Sequence, residues 1–324
     1  MKTVMIVGSG GLIGQYIVKD LYENGYNLFC VEHSDKNAEL YKNLGIPFLI
    51  ADVQCVDDIN KLPQSGIDSV IFLAGILPAR MTVYEPQKYF YVNTIGAQNI
   101  FEYCLRIGVK QILYTQSHSD VANLWGKKTI SPYDPPTINY KNDHTVYVIS
   151  KLAAVSLLEY YYQNFQISYC VFRCPNIYAY HPDRYYYRDG KKTLIAYRDF
   201  IYRAINSEPI EIWGKYESRR DIVYVKDLAQ MLRKAIEKNI SKGYYNVANG
   251  KSVSIKEQVE DTIEIFSPPD NKSKIIYRPD IDIPEISYHY DIQNAIDELG
   301  YVPKYFHREM LIDMKKIMQN QKGM

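Results

Sequence analysis

A doubly wound, parallel α/β sheet with a smaller C-terminal lobe is the fold this chain predicts, on three observations. Short apolar runs alternate with longer stretches of helical periodicity through the first half, a glycine-spaced turn follows the first apolar run, and regularity weakens after residue 174.

Residues 4–7, 28–31, 48–50, 70–73, 112–114 and 169–172 read as strands, because each apolar run is too short for a helix and is continuous rather than alternating. Residues 12–22, 96–105 and 147–165 carry apolar positions at helical spacing, the last falling between the fifth and sixth strands. Right-handed crossovers between parallel strands then place every strand's C-terminal end along one edge of the sheet, where ligands bind. Beyond residue 175 the chain reads as a loop over 181–192, a helix over 194–205 and a proline-interrupted stretch over 267–284. Residues 222–237 again read as strand plus amphipathic helix and are expected to return to the first lobe.

A chain of 324 residues with 47% hydrophobic content is long enough for a substantial core, and a formal net charge of +1 gives no general attraction to nucleic acid or an anionic membrane. No apolar stretch approaches the roughly 20 residues needed to span a bilayer, so a cytoplasmic location with a small-molecule partner is expected. Cys30, Cys55, Cys104, Cys170 and Cys174 are scattered without a C-x-x-C pair, which predicts buried free thiols and no metal.

In the turn Gly8-Ser9-Gly10-Gly11-Leu12-Ile13-Gly14, the residues Gly8, Gly11 and Gly14 recur every three positions. Lacking Cβ atoms, they permit a tight turn. The backbone around Leu12, Ile13 and Gly14 then meets a pyrophosphate at the positive end of the next helix, in the Rossmann manner. Glu32 closes the second strand about 20 residues on, where a carboxylate accepts hydrogen bonds from the adenosine ribose and repels a 2′-phosphate. NAD is therefore predicted over NADP. Asp52, with Val53 beside it, is placed for the adenine amino group, and Leu73-Ala74-Gly75 supplies small residues where the dinucleotide passes the backbone.

Tyr147 and Lys151 lie one helical turn apart on one face, so an ammonium there lowers the phenol pKa and makes it a general base. Tyr84/Lys88 and Tyr187/Lys191 share that spacing, but Pro86 interrupts the first and Gly190 sits in the loop carrying the second. Ser117, just past the fifth strand, can hydrogen-bond the reacting oxygen of a substrate.

With these residues in view the chain resembles the extended short-chain dehydrogenases/reductases, within the NAD-dependent epimerase/dehydratase family of nucleotide-sugar enzymes such as the UDP-galactose 4-epimerases. Further matching segments are Arg173-Cys174-Pro175-Asn176-Ile177-Tyr178, Arg220 to Asp227, Tyr245-Asn246-Val247-Ala248, and Leu73-Ala74-Gly75 with Asn93 downstream. The resemblance implies that Ser117, Tyr147 and Lys151 form the catalytic triad, with Lys151 also holding the nicotinamide ribose and Pro175 lying by the nicotinamide. It further implies that Asn176 and Arg220 hold the diphosphate of a nucleotide sugar, with Arg278 a second candidate for that clamp and Asn93 a support for the active-site loop.

The implied chemistry is oxidation of a sugar carbon to a transient keto sugar and its reduction on the other face, most plausibly epimerisation at C4. A one-way reductase, dehydrogenase or dehydratase of the same family is the alternative, and a dinucleotide-sensing regulator is disfavoured by the Tyr/Lys pair. Dehydratases carry an acidic pair after the catalytic hydroxyl, where this chain has His118 and Ser119; His118 is read either as an added acid or base at the substrate or as a loop residue. Leu77 and Ala179 also depart from the epimerase pattern. The implied domains are 1–174 for NAD, with 221–247 returning to it, and 175–220 plus 248–324 for the substrate. Helices 96–105 and 147–165 resemble the pair that meets across a two-fold axis in this family, so a homodimer is expected.

Overall fold

The computed structural model describes residues 2–141, 144–188, 191–283 and 285–322; Gly190 and the last residue of the 267–284 stretch lie outside them. The six expected strands are β1 (Thr3–Val7), β2 (Asn27–Glu32), β3 (Phe48–Ile50), β4 (Ser69–Phe72), β5 (Gln111–Ser117) and β6 (Ser168–Cys174). They pair in parallel in the order β6-β5-β4-β1-β2-β3, and a seventh strand, Lys242–Asn246, adds in parallel outside β6.

Both faces of the sheet are covered, which explains the unbroken apolar runs. In β1, Val4 and Ile6 pack toward α1 (Leu12–Glu23) and the helix Val225–Lys238, while Met5 and Val7 point the other way, toward the helices Ala97–Ile107 and Thr145–Phe165. The helix Thr145–Phe165 is apolar nearly all round: Ala154, Leu158 and Tyr161 face the sheet, and Tyr160 stays half exposed on the outside.

Three features differ from the sequence reading. The strand predicted near residue 222 is Val223–Tyr224, which pairs with Ile177–Tyr178 rather than joining the main sheet; the following helix does pack on α1. The 181–192 loop contains an antiparallel ladder of Tyr185–Arg188 on Lys191–Leu194, and the 267–284 stretch contains Ile275–Arg278, paired in parallel with Ile210–Trp213. Among the cysteines, Cys55 is exposed and Cys174 half-buried, because Cys55 sits outside the sheet at the start of a short surface helix.

The second lobe has its own core, in which Ile201, Ala204, Val259, Ile263, Met310, Leu311 and Met314 pack three helices together: Ala196–Ile205, Ile255–Phe266 and His307–Lys322. Ser254 caps the second of these through a reciprocal capping box with Glu257. The 248–324 segment does not stay in this lobe, since Tyr288, Tyr290, Ile292, Ala295, Leu299 and Tyr301 are buried in the first-lobe core beside β6 and the helix Val225–Lys238.

Asp227, fully buried in the first turn of that helix, accepts from the backbone N–H groups of Lys304 (3.1 Å) and Tyr305 (2.9 Å). Asp227→Ala leaves both donors unpaired in the interior and should lower stability by about 2 kcal/mol. Urea unfolding followed by circular dichroism checks this; an unchanged midpoint would show that the carboxylate does not tie the helix to the C-terminal segment.

Candidate active site

The turn after β1 is built around backbone approach. Gly8 has φ of +90°, and a Cβ there would sit 2.6 Å from the backbone nitrogen of Ala74 at the end of β4. Gly14 packs its Cα face on the turn, where a Cβ would lie 2.5 Å from the carbonyl oxygens of Gly8 and Ser9. Gly11 is the N-cap of α1 and supplies no side-chain cap, and no acidic residue stands in the first turn of α1. The N–H groups at Leu12, Ile13 and Gly14 thus present an uncapped positive helix end at the sheet edge, the donor set a pyrophosphate requires.

Glu32 is buried, only 4% exposed, with its carboxylate lying over the turn. It accepts from Asn37 Nδ2 (3.3 Å) and, at 3.5 Å, from Ser9 Oγ. A Cβ on Gly10 would fall 2.3 Å from Glu32 Oε2, so Gly10 belongs to this cradle although the three-residue glycine spacing passes over it. Asn37 was also missed; it shares the Gly10 carbonyl with Gln15 and lies in a polar surface stretch without any marking pattern.

Asp52 is half-buried after β3 and accepts from Gln54 N at 2.9 Å, while Val53 is buried against Gly96 and accepts at its carbonyl from Asn99 Nδ2 at 2.9 Å. Leu73 and Ala74 both donate backbone N–H to the Val7 carbonyl, which brings Leu73-Ala74-Gly75 against the turn. Asn93, fully buried, holds the following residue by accepting from Ile76 N (2.8 Å) and donating to Ile76 O (3.1 Å).

Ser117 ends β5, and its hydroxyl lies close enough to the phenol of Tyr147, on the helix Thr145–Phe165, to favour the ionised form of that phenol. The Tyr147 ring packs edge-on to Tyr89, with centroids 5.8 Å apart. Lys151 is buried one turn on, its Nζ 4.1 Å from the centroid of the Tyr114 ring. Burial pushes the Tyr147 phenol above its ordinary value, and the nearby Ser117 hydroxyl opposes the rise. Burial also brings the Lys151 ammonium down to about 7, while neighbouring Cys174, itself pushed up to about 12 by burial, acts in the other direction. Lys151 Nζ stands over the Tyr114 ring as a cation–π partner.

On the opposite wall, Pro175 is buried after β6, and the next residue, Asn176, is exposed and donates to the Tyr288 hydroxyl at 3.3 Å. Arg220 is half-buried, with Nε donating to the Ile286 carbonyl at 3.3 Å. His118 is buried between Trp125 and Tyr288, with ring centroids 4.7 and 5.1 Å away, and its Nδ1 lies 2.7 Å from the Tyr290 hydroxyl. Desolvation, reinforced by His144, Arg173 and Arg220, brings its pKa down to about 3, so the imidazole is neutral. That is the opposite of a ready acid. Arg278 ends the surface strand Ile275–Arg278, held by Asp280 (3.0 Å) and Glu211 (3.4 Å), and among the described residues it makes no hydrogen bond to Asn176 or Arg220. Tyr288 and Tyr290, which join these side chains, carried no signal in a chain with 32 tyrosines.

The Glu32 position yields a direct test. Glu32→Ala should weaken NAD binding and reduce the preference for NAD over NADP by about tenfold, one hydrogen-bonded charge being worth that much. Calorimetric titration of both dinucleotides checks it, and an unchanged ratio would remove Glu32 from the ribose site.

Comparison with known proteins agrees with this geometry. The model of the NAD dependent epimerase/dehydratase family matches residues 4–248. UDP-glucose 4-epimerase of Pisum sativum is 25% identical over 348 residues, covering 96% of this chain and 94% of that protein. The dTDP-4-dehydro-6-deoxyglucose reductase of Escherichia coli is 26% identical over 320 residues, covering 93% and 92%. Among solved structures, UDP-glucose 4-epimerase with UDP-glucose from Thermotoga maritima matches with a TM-score of 0.81 at 22% identity, over 98% of this chain and 99% of that one. A family match over most of the chain, together with a glycine cradle, an uncapped helix end and a buried carboxylate closing β2 that fit NAD, makes this protein a member of the NAD-dependent epimerase/dehydratase family.

Proposed function

We propose that the protein is a nucleotide-sugar epimerase acting through a transient keto sugar, most plausibly at C4. The observation that carries the reading is the approach of the Ser117 hydroxyl to the buried Tyr147 phenol at the sheet edge that also carries the glycine cradle. Bound NAD supplies a two-electron acceptor and donor for the sugar carbon. Ser117 orients the sugar hydroxyl, Tyr147 takes its proton, and the same phenol returns the proton when the sugar is reduced again. Lys151 holds the nicotinamide ribose, while Asn176 and Arg220 clamp the diphosphate and leave the sugar free to turn over between the two half-reactions. Arg278 is a further candidate for the clamp, supported by its place in the sequence pattern rather than by its ion pairs.

The likeness to a reductase keeps a one-way reduction as the second reading. Such a reaction needs a net proton in each turnover, and a neutral, deeply buried His118 is a poor source for one. Incubation with UDP-, GDP-, CDP- and dTDP-sugars, read by NMR, separates the two: an epimeric product with no net change in NADH supports the proposal, and stoichiometric NADH consumption contradicts it.

The polypeptide is proposed to work as a homodimer in the cytoplasm. Exposed Tyr91 and Ile95 beside the helix Ala97–Ile107, and Tyr160 on the helix Thr145–Phe165, support the first, and free cysteines support a reducing compartment. No helix among the described residues is long and apolar enough to cross a membrane. Light scattering at micromolar concentration should give twice the mass of the chain, and a monomer would contradict the dimer.

Tyr147→Phe should retain NAD while losing turnover by at least about 100-fold, the range lost with a general acid–base. Near-normal activity would overturn the role given to the phenol.

A further inference from the structure

The side chains that would clamp the diphosphate and the serine at the reacting oxygen come from different parts of the chain, yet one short segment touches the clamp and the residue next to the serine. Tyr288 N donates to Arg219 O and Asp221 N donates to Tyr288 O, each at 3.0 Å, so Arg220 is laced to Tyr288 through the backbone on both sides. Asn176 is bonded to the Tyr288 hydroxyl. Two residues on, Tyr290 is fully buried; its N–H donates to Asp221 Oδ2 at 3.3 Å, and its hydroxyl meets His118 Nδ1 at 2.7 Å. His118 is covalently next to Ser117.

From this we infer that His118 is a positioning residue, whose bond to Tyr290 sets Ser117 against Tyr147 and links the diphosphate clamp to the catalytic serine. The inference rests on the proposed function only for what the clamp holds. The imidazole is held by its neighbours: Trp125 and Tyr288 pack on the ring, the Tyr290 hydroxyl holds one nitrogen, and the cations of Arg173 and Arg220 lie close enough to disfavour its protonation, as does His144. A neutral ring so held offers one donor and one acceptor and keeps its orientation, which is what a strut requires and a proton carrier lacks. Ser119 N in turn donates to Ser117 Oγ at 3.2 Å, so a shift of residue 118 moves the groups on both sides of the serine hydroxyl.

The test uses the NAD-loaded enzyme with His118→Phe, Tyr290→Phe and the double variant. Each single change should lower kcat about tenfold, the loss of one buried hydrogen bond, with KM changed less than about twofold and the double variant no worse than either single one. His118→Asn, whose amide reaches the position of Nδ1, should recover most of the loss. The pH profile of kcat should keep its shape in His118→Phe. Multiplicative losses, an effect confined to KM, or a pH limb that vanishes with the imidazole would each overturn the inference. Nitrogen-15 NMR of the six histidines reads the bond without any substrate: Tyr290→Phe must shift the His118 Nδ1 resonance, and an unchanged resonance overturns the inference. Failure of every nucleotide sugar to react would count against the function instead, leaving the resonance to decide the bond.

Discussion

Burial of Tyr147 and Lys151 in the same apolar box is the constraint on which the site depends. It disfavours the phenolate and the ammonium alike, so neither group is in its working charge state through solvent. Inside the protein the Ser117 hydroxyl is the group that favours the phenolate, and the Tyr114 ring is the counterpart of the ammonium. Both partners come from β5, and both recipients from the helix crossing it. The packing of that helix on the sheet, through Ala154, Leu158 and Tyr161, therefore sets the spacing of these four side chains. A positively charged ring brought against this box would act on a phenol that has little competing solvent.

The lobes are joined by more than a hinge. The segment carrying Tyr288 and Tyr290 leaves the second lobe, passes through the first-lobe core, and is tied there by Asp221 and by Asn246, which donates to the carbonyls of Ile130 and Asp291. Arg173 adds an interior ion pair to Asp120 at 3.1 Å and donates to the carbonyls of Ser131, Pro132 and Asp134, fixing the loop that precedes the helix Thr145–Phe165. Polar groups buried so completely specify one arrangement of the seam, because any other would leave them unpaired.

Much of this was legible in residue order. Strands buried on both faces announce themselves as unbroken apolar runs, and the Gly8 turn and Glu32 sit at distances that local geometry dictates. The seventh strand was not legible, since Lys242-Gly243-Tyr244-Tyr245-Asn246 has no β-branched residue and carries a glycine inside; a Cβ there would lie 2.5 Å from the ring of Tyr245. The ladder of Tyr185–Arg188 on Lys191–Leu194 hid because neither strand has a buried face, the first being at most half-buried and the second mostly exposed. His118 could be read as an added acid or base or as a loop residue because all the sequence shows is that it follows Ser117. Its true environment is made by Tyr290, 172 residues away, and no local pattern encodes such a contact.

The Tyr147 phenol itself gives the most direct measurement. Carbon-13 NMR of ring-labelled tyrosine, assigned through Tyr147→Phe, can follow its titration with and without NAD and in Lys151→Met. The account predicts a phenol that stays protonated past pH 10 in the protein alone and falls to within about two units of neutrality with NAD bound, an effect weakened in Lys151→Met. A phenol that titrates above pH 10 in both states would contradict it.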